Sequence, residues 1–410
     1  GLFDVYGTAW FSSIYLLLVV SLLGCVIPRT PRYLRSLRSA PPAPPQSAWE
    51  EVGEPLGVSL SVAAARLGRR RHAVGADWIT IERGQIKESG NLLFHFALLG
   101  ILLALGVGNT LGYHGQVIVR EGTSFANVVT QYDSFGCGRL FSTSRLAPFV
   151  VKLDDMSVAY ETHGPTAGSA TAYRAYLDLQ DRPGAPTRSA VLEVNSPVDI
   201  GNATVFLVGH GYAPHFKVTD AQGNVQFDDS VVFLPQDQNF SSTGVIKLPD
   251  MQPQLGIDGI FAPTGVITDD RGPHSLFPAP LDPVAYLSAW TGDLGLDSGK
   301  AQNVYQLDKS HLKRQAIGEL RKGQVWVIKG VGRVELTGIE EFATFNVNSD
   351  PAQGWALGFA LLAIASLSVM LVVRRRQIWL LAAADGSVRV VALGATAKSD
   401  IASLTRLLGK

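Results

Sequence analysis

Cysteine is nearly absent. Cys25 and Cys137 are the only two in 410 residues, too few for a disulfide framework or a cysteine-based zinc site. Charge is scarce too: Lys, Arg, Asp and Glu make up 17% of the chain, and 35 basic residues balance 35 acidic ones. Phosphate binding needs surplus positive charge, so nucleic acid is excluded as a partner. Catalytic signatures are missing as well, with no Gly-x-Ser-x-Gly, no HExxH and no CxxC. With 46% hydrophobic residues the chain is not disordered, and its length suggests two or three units.

What the chain does have is long uncharged apolar runs. A bilayer core about 30 Å thick needs about 20 apolar helical residues. Three stretches qualify: Ala9 to Ile27, Leu92 to Leu111 and Trp355 to Val373, none with Asp, Glu, Lys or Arg. Three such runs are hard to reconcile with buried helices of a soluble protein. Trp10, Tyr113 and Trp355 stand at span ends, where aromatic side chains anchor to the interface.

Basic residues give the orientation. Segment 28–90 carries ten Lys and Arg, and Arg374, Arg375 and Arg376 follow the last span at once. No Lys or Arg lies between Leu92 and Val119, or between Val334 and Val373. The positive-inside rule then puts 28–90 and 374–410 in the cytoplasm and 113–353 outside the plasma membrane. The expected organisation is an outer N-terminal remnant (1–8), spans at 9–27, 91–112 and 354–373, the cytoplasmic segments 28–90 and 374–410, and the outer region 113–353. The predicted class is an integral membrane protein with α-helical transmembrane spans. It would carry a large mainly-β extracytoplasmic domain and a small α+β cytoplasmic part. Gly1 is not an initiator Met, and an outside start needs a signal peptide or an upstream span, so the chain is expected to lack its true N-terminus.

The cytoplasmic pieces are each too small to bury a core. A basic helix over 57–71, a strand pair over Ala73–Arg83 and tail strands at Ile378–Leu381 and Val388–Leu393 are expected to pack together. The tail strands flank an Asp385-Gly386 turn, and Asp400 is expected to cap a last helix. In the outer region, short alternating runs between Gly, Pro, Asn and Asp turns predict a sandwich or open barrel. They include Phe149–Tyr160, Ala203–Val208, Phe216–Thr219, Arg333–Leu336 and Phe342–Asn346. Stretch 235–302 is expected to form long loops, and helices are expected at Pro283–Trp290 and Lys309–Glu319.

Few residues suggest chemistry. The pairs Asp154-Asp155, Asp228-Asp229 and Asp269-Asp270 read as solvated turns. The outer histidines lack metal-ligand spacing, apart from the weak pair His210 and His215. Cys137 is alone outside. His95 differs, because an ionisable side chain inside a span is costly and functional by default. A neutral imidazole there suits an axial ligand of haem iron; a packing hydrogen bond to a neighbouring helix is the alternative. His114, about 28 Å further along at 1.5 Å per residue, cannot share that iron. It reads as an interfacial histidine, with a haem contact at the outer surface as the other possibility.

Several motifs occur in an order that resembles the ResB (CcsB) family of cytochrome c biogenesis proteins. They are Leu22-Leu-Gly-Cys-Val-Ile-Pro-Arg29, Glu88-Ser-Gly-Asn-Leu-Leu-Phe-His95, Gly112-Tyr-His-Gly-Gln-Val117 and Leu207-Val-Gly-His-Gly-Tyr-Ala-Pro214, with Gly292–Gly299, Val304–Asp308 and Asn348–Pro351. The resemblance implies system II cytochrome c maturation and four spans, of which this chain shows three. It implies a complex with a ResC (CcsA) type polytopic partner, which moves haem outward and supports its attachment to apocytochrome c. The chain alone is then no enzyme but part of a haem-attaching complex. His95 falls on the family's intramembrane haem ligand, for a transient haem b whose other ligand the partner supplies. The competing reading is a non-haem membrane scaffold whose outer β domain docks envelope proteins. An outer hydrolase lacks a nucleophile–base pair, and a stand-alone transporter lacks polar groups along a path.

Overall fold

The computed structural model describes residues 8–50, 54–296, 299, 303–383, 387–392 and 397–408. The expected outer remnant, all but its last residue, and the Asp385-Gly386 turn fall outside them. The chain divides into two compact units, residues 1–108 with 351–410, and residues 109–350.

Among the described residues the first unit contains six helices: α1 (Ala9–Arg38), α2 (Gln46–Glu50), α3 (Leu60–Leu67), α4 (Ile86–Leu111), α5 (Gln353–Val372) and α6 (Ala397–Leu408). Helices α1, α4 and α5 are long and apolar enough to cross a membrane. They leave Leu17, Leu103 and Leu371 exposed. Helix α1 does not stop at Pro28 as expected but runs ten residues further. Pro28 and Pro31 remove two backbone donors, and Thr30 Oγ1 bonds the Val26 carbonyl at 2.9 Å. Hydroxyl side chains of this kind are one reason prolines are tolerated in membrane helices. Close approach to α4 rests on small residues. A Cβ at Gly90 would meet the Ser366 carbonyl at 3.0 Å, and one at Gly100 would lie 2.5 Å from the Phe359 ring.

The remainder of this unit is a small α+β body. Strands Glu54–Leu56, Val388–Ala392, Arg376–Ala382, Trp78–Arg83 and His72–Val74 line up in that order, so the sheet takes strands from both pieces flanking α4 and α5. One face packs Ile79, Ile81, Ile378, Leu380 and Val390 against Leu67 of α3 and Leu404 of α6. The other buries Trp379, Leu381 and Val391 against Ala48 of α2. Asp400 is not the cap, because α6 already begins at Ala397.

The second unit is mainly β. Its spine is a pair of 18-residue strands, Ala203–Asp220 and Gly332–Ser349, paired antiparallel from Thr204↔Asn348 to Asp220↔Gly332. At one end of this ribbon, Val205, Phe345 and Val347 share a core with Phe125, Val151, Leu177 and Leu192 of a four-stranded sheet. At the other end, Phe216, Val334 and Leu336 share a second core with Ile246, Ile257, Phe261 and Leu287 of a five-stranded sheet.

The five-stranded sheet corrects two expectations. Stretch 235–302 holds Ser242–Leu248, Leu255–Ala262 and Val284–Gly292 as strands rather than long loops. The helices expected at Pro283–Trp290 and Lys309–Glu319 are its strands Val284–Gly292 and Leu312–Arg321, paired side by side. Burial alternates along Val284–Gly292, a period of two that a helix cannot satisfy. Asp154-Asp155 and Asp228-Asp229 also lie in strands, not turns, and three of the four carboxylates are ion-paired. Asp154 meets Lys152, Asp228 meets Lys217, and Asp229 meets Arg120.

Candidate functional site

Helices α1 and α4 each turn one face toward a common cavity of about 500 Å³. From α1 come Cys25, Val26, Arg29, Arg32, Tyr33 and Ser36, at the three- and four-residue intervals that keep side chains on one face. From α4 come Glu88, Asn91, Leu92 and His95 with the same intervals, and Arg375 follows the end of α5. The volume is that of a small-molecule or cofactor site.

His95 sits on this wall with its ring held in place. Its Nδ1 lies 2.8 Å from the carbonyl oxygen of Asn91, one turn earlier. A carbonyl can only accept, so in the neutral ring Nδ1 carries the proton and Nε2 keeps its lone pair. The Phe94 ring meets it edge-on, with centroids 5.7 Å apart. The cavity is bounded by apolar Val26 and Leu92 and by a cationic group of three arginines.

Those arginines differ in their partners. Arg375 bonds Glu82 through Nε at 2.8 Å and pairs with Glu88 as well. Arg71 takes the other oxygen of Glu82 at 3.0 Å. Burial raises the pKa of the Glu82 carboxyl, but hydrogen bonds from Arg375 and Arg71 outweigh it and hold the group below its usual range. Tyr33 bonds Ser89 across the two helices, and Tyr15 bonds the Leu102 carbonyl.

The other candidates are dispersed. His114 lies exposed on strand Tyr113–Arg120 opposite Gly136, where a Cβ would come 2.7 Å from its Nε2. It is not among the residues that line the His95 cavity. Cys137 is exposed and unbridged. His210 and His215 do not converge: His210 is buried with Nε2 3.2 Å from Tyr160 Oη, while His215 contacts Ser230 and Asp228. Among the described residues no group of three or more His, Cys, Asp or Glu is arranged to hold a metal ion.

Sequence reasoning singled out His95 but missed Arg29, Arg32, Tyr33, Ser36 and Arg375 around it. The arginines were legible only as topological charge. Their spacing on α1 was the available signal, hidden because the helix was expected to end at Pro28.

A curated relative, "Cytochrome c biogenesis protein Ccs1" of Rhodomonas salina, is 24% identical over 209 residues. The matched stretch covers 48% of this chain and 44% of that protein, so the chain spans less than half the length of this relative. The ResB-like family matches residues 1–407, nearly the whole chain including both helices of the cavity, and the protein therefore belongs to the ResB-like family.

Proposed function

We propose that the protein is a haem-handling membrane subunit in cytochrome c biogenesis and that His95 ligates haem iron. One observation carries this reading: His95 gives its Nδ1 proton to the Asn91 carbonyl and so keeps Nε2 as a donor atom beside the cavity. Metal-bound histidines are commonly oriented by such a second-nitrogen bond. The cavity walls suit the rest of an iron porphyrin, with apolar Val26 and Leu92 for a macrocycle and arginines for its acidic groups. When bound, haem supplies the iron centre and the vinyl groups destined for thioether bonds to an apocytochrome c.

The chain's own part is to bind and orient. His95 fixes the metal's position on α4, and the facing side of α1 excludes water. A ResC/CcsA-type polytopic partner would supply the remaining iron ligand and the onward path across the plasma membrane. On the topology read from the basic residues, the cavity lies near the cytoplasmic ends of α1 and α4, where haem would enter. The β-rich unit lies outside, where it helps hold the apocytochrome. Membership of the ResB-like family and the name of the Rhodomonas salina relative support this assignment.

The test is a visible spectrum of the protein purified with its partner, with and without His95→Ala. The substitution should remove the histidine-ligated signal and lower the yield of c-type cytochromes at least about tenfold. Added imidazole should restore part of both. Unchanged haem content and spectrum in His95→Ala would sink the reading and leave a scaffold that docks envelope proteins without haem.

A further inference from the structure

Among the described residues, two of the three cavity arginines have no acid to answer them. Arg375 is taken by Glu82 and Glu88. Among the described residues, neither Arg29 nor Arg32 has a hydrogen-bond or ion-pair partner. The two stand three residues apart on α1, so they project from one face about 4.5 Å apart along the helix axis. They line the same cavity as His95, whose Nε2 is likewise unpartnered among the described residues. A cavity with one metal-donor nitrogen, apolar walls and two adjacent unanswered guanidinium groups is complementary to a flat apolar ligand bearing two carboxylates. Guanidinium is the side chain best shaped for carboxylate, which it meets with two parallel N–H donors.

We infer that Arg29 and Arg32 form a clamp for the two carboxylates of a porphyrin, one each, and so set the ring's position against His95. The inference rests on the haem-handling reading and adds a selection rule. The site takes the free diacid and rejects the diester, whether or not the ring carries a metal. Arg29 and Arg32 are thus positioning residues for the ligand, while His95 addresses its metal.

The test uses the purified full chain in phosphatidylcholine nanodiscs. Haem, metal-free protoporphyrin IX and the dimethyl esters of both are titrated by Soret absorbance and fluorescence. The wild type should bind each diacid more tightly than its diester by about tenfold or more, the usual worth of a charged hydrogen bond. Arg29→Gln with Arg32→Gln should abolish that preference while bound haem keeps its histidine-ligated Soret position. Arg38→Gln removes the same charge from the same helix outside the cavity lining, and it should keep the preference. Equal binding of diacid and diester by the wild type would overturn the clamp. So would loss of the preference in Arg38→Gln, which would mean that the basic end of α1 meets lipid phosphate and sets topology only. Failure of the haem reading shows separately, as a Soret position that His95→Ala leaves unchanged.

Discussion

At Glu82 a side chain only 2% exposed accepts hydrogen bonds from Arg71 and Arg375, and so ties the small sheet to the short connection after α5. A buried carboxylate of this kind is costly to leave unpaired and equally costly to remove, because its cations lose their partner. Glu82→Gln should destabilise the α+β body by about 3 kcal/mol, the low end for a broken buried pair, since both arginines keep some solvent contact. Hydrogen exchange on strand Trp78–Arg83 would measure it, and a change below about 1 kcal/mol would refute the account. The sign with pH follows from the carboxyl's depressed pKa. Its contribution is present above the ordinary carboxylate range and is lost as pH falls through the folded-state value. The candidate site was partly readable at this scale. A lone histidine in an apolar run announces itself, because its burial has a cost that something must offset. Arg29 and Arg32 do not, because an arginine beside a span has an ordinary topological explanation, and only the facing helix shows that two of them share a cavity with His95.

Among the elements, the paired strands Ala203–Asp220 and Gly332–Ser349 explain both what was legible and what was not. Their ends read as strands from alternation alone, at Ala203–Val208, Phe216–Thr219, Arg333–Leu336 and Phe342–Asn346. Their middles did not. Gly209-His210-Gly211 breaks the apolar pattern, and Glu340-Glu341 puts charge where a core strand should be apolar. A strand there is held by its partner, with His210 opposite Ala343 and Tyr212 opposite Glu341, a long-range fact with no local signature. Stretch Val284–Gly292 misled in the opposite way, since its short apolar run fits either period until the neighbouring strands select one. The middle of the ribbon also carries a pH response. Burial, then the nearby Glu121 and Asp155, push the Glu341 carboxyl up to about 8, and burial pushes His210 down to about 4. Between about pH 4.5 and 8 folded Glu341 holds a proton that the unfolded chain releases, so its contribution weakens as pH rises. His210 acts the other way, but only between about 4 and 6.5. From pH 6.5 to 8 His210 no longer opposes Glu341, and amides of Ala203–Asp220 in the intact protein should lose protection beyond the intrinsic pH effect. Glu341→Gln should flatten that slope; an equal slope in the variant would remove Glu341 as its source.

Across the whole molecule, the zero net charge conceals an opposition. Residues 113–353 carry 18 basic and 26 acidic side chains, whereas 28–90 carries 10 and 6 and 374–410 carries 7 and 2. The same asymmetry from which the orientation was read gives the β-rich unit a net charge of −8. If that unit receives an apocytochrome on the proposed outer side, long-range attraction should favour a basic chain and act on its rate of arrival more than on the closed contact. Exposed charges are screened once the Debye length falls from about 30 Å at 0.01 M to about 10 Å at 0.1 M salt. The association rate of a lysine-rich apocytochrome segment should therefore fall about tenfold over that range, with a much smaller change in its dissociation rate. Acetylating the lysines of that segment should remove most of the salt dependence, because it deletes the charge that is steered and leaves the length of the chain unaltered. Stopped-flow or surface-binding kinetics on the intact protein separate the two rates. A salt-independent association rate, or an acetylated segment that arrives as fast as the native one, would show that the acidic surface follows from membrane topology and takes no part in gathering the partner.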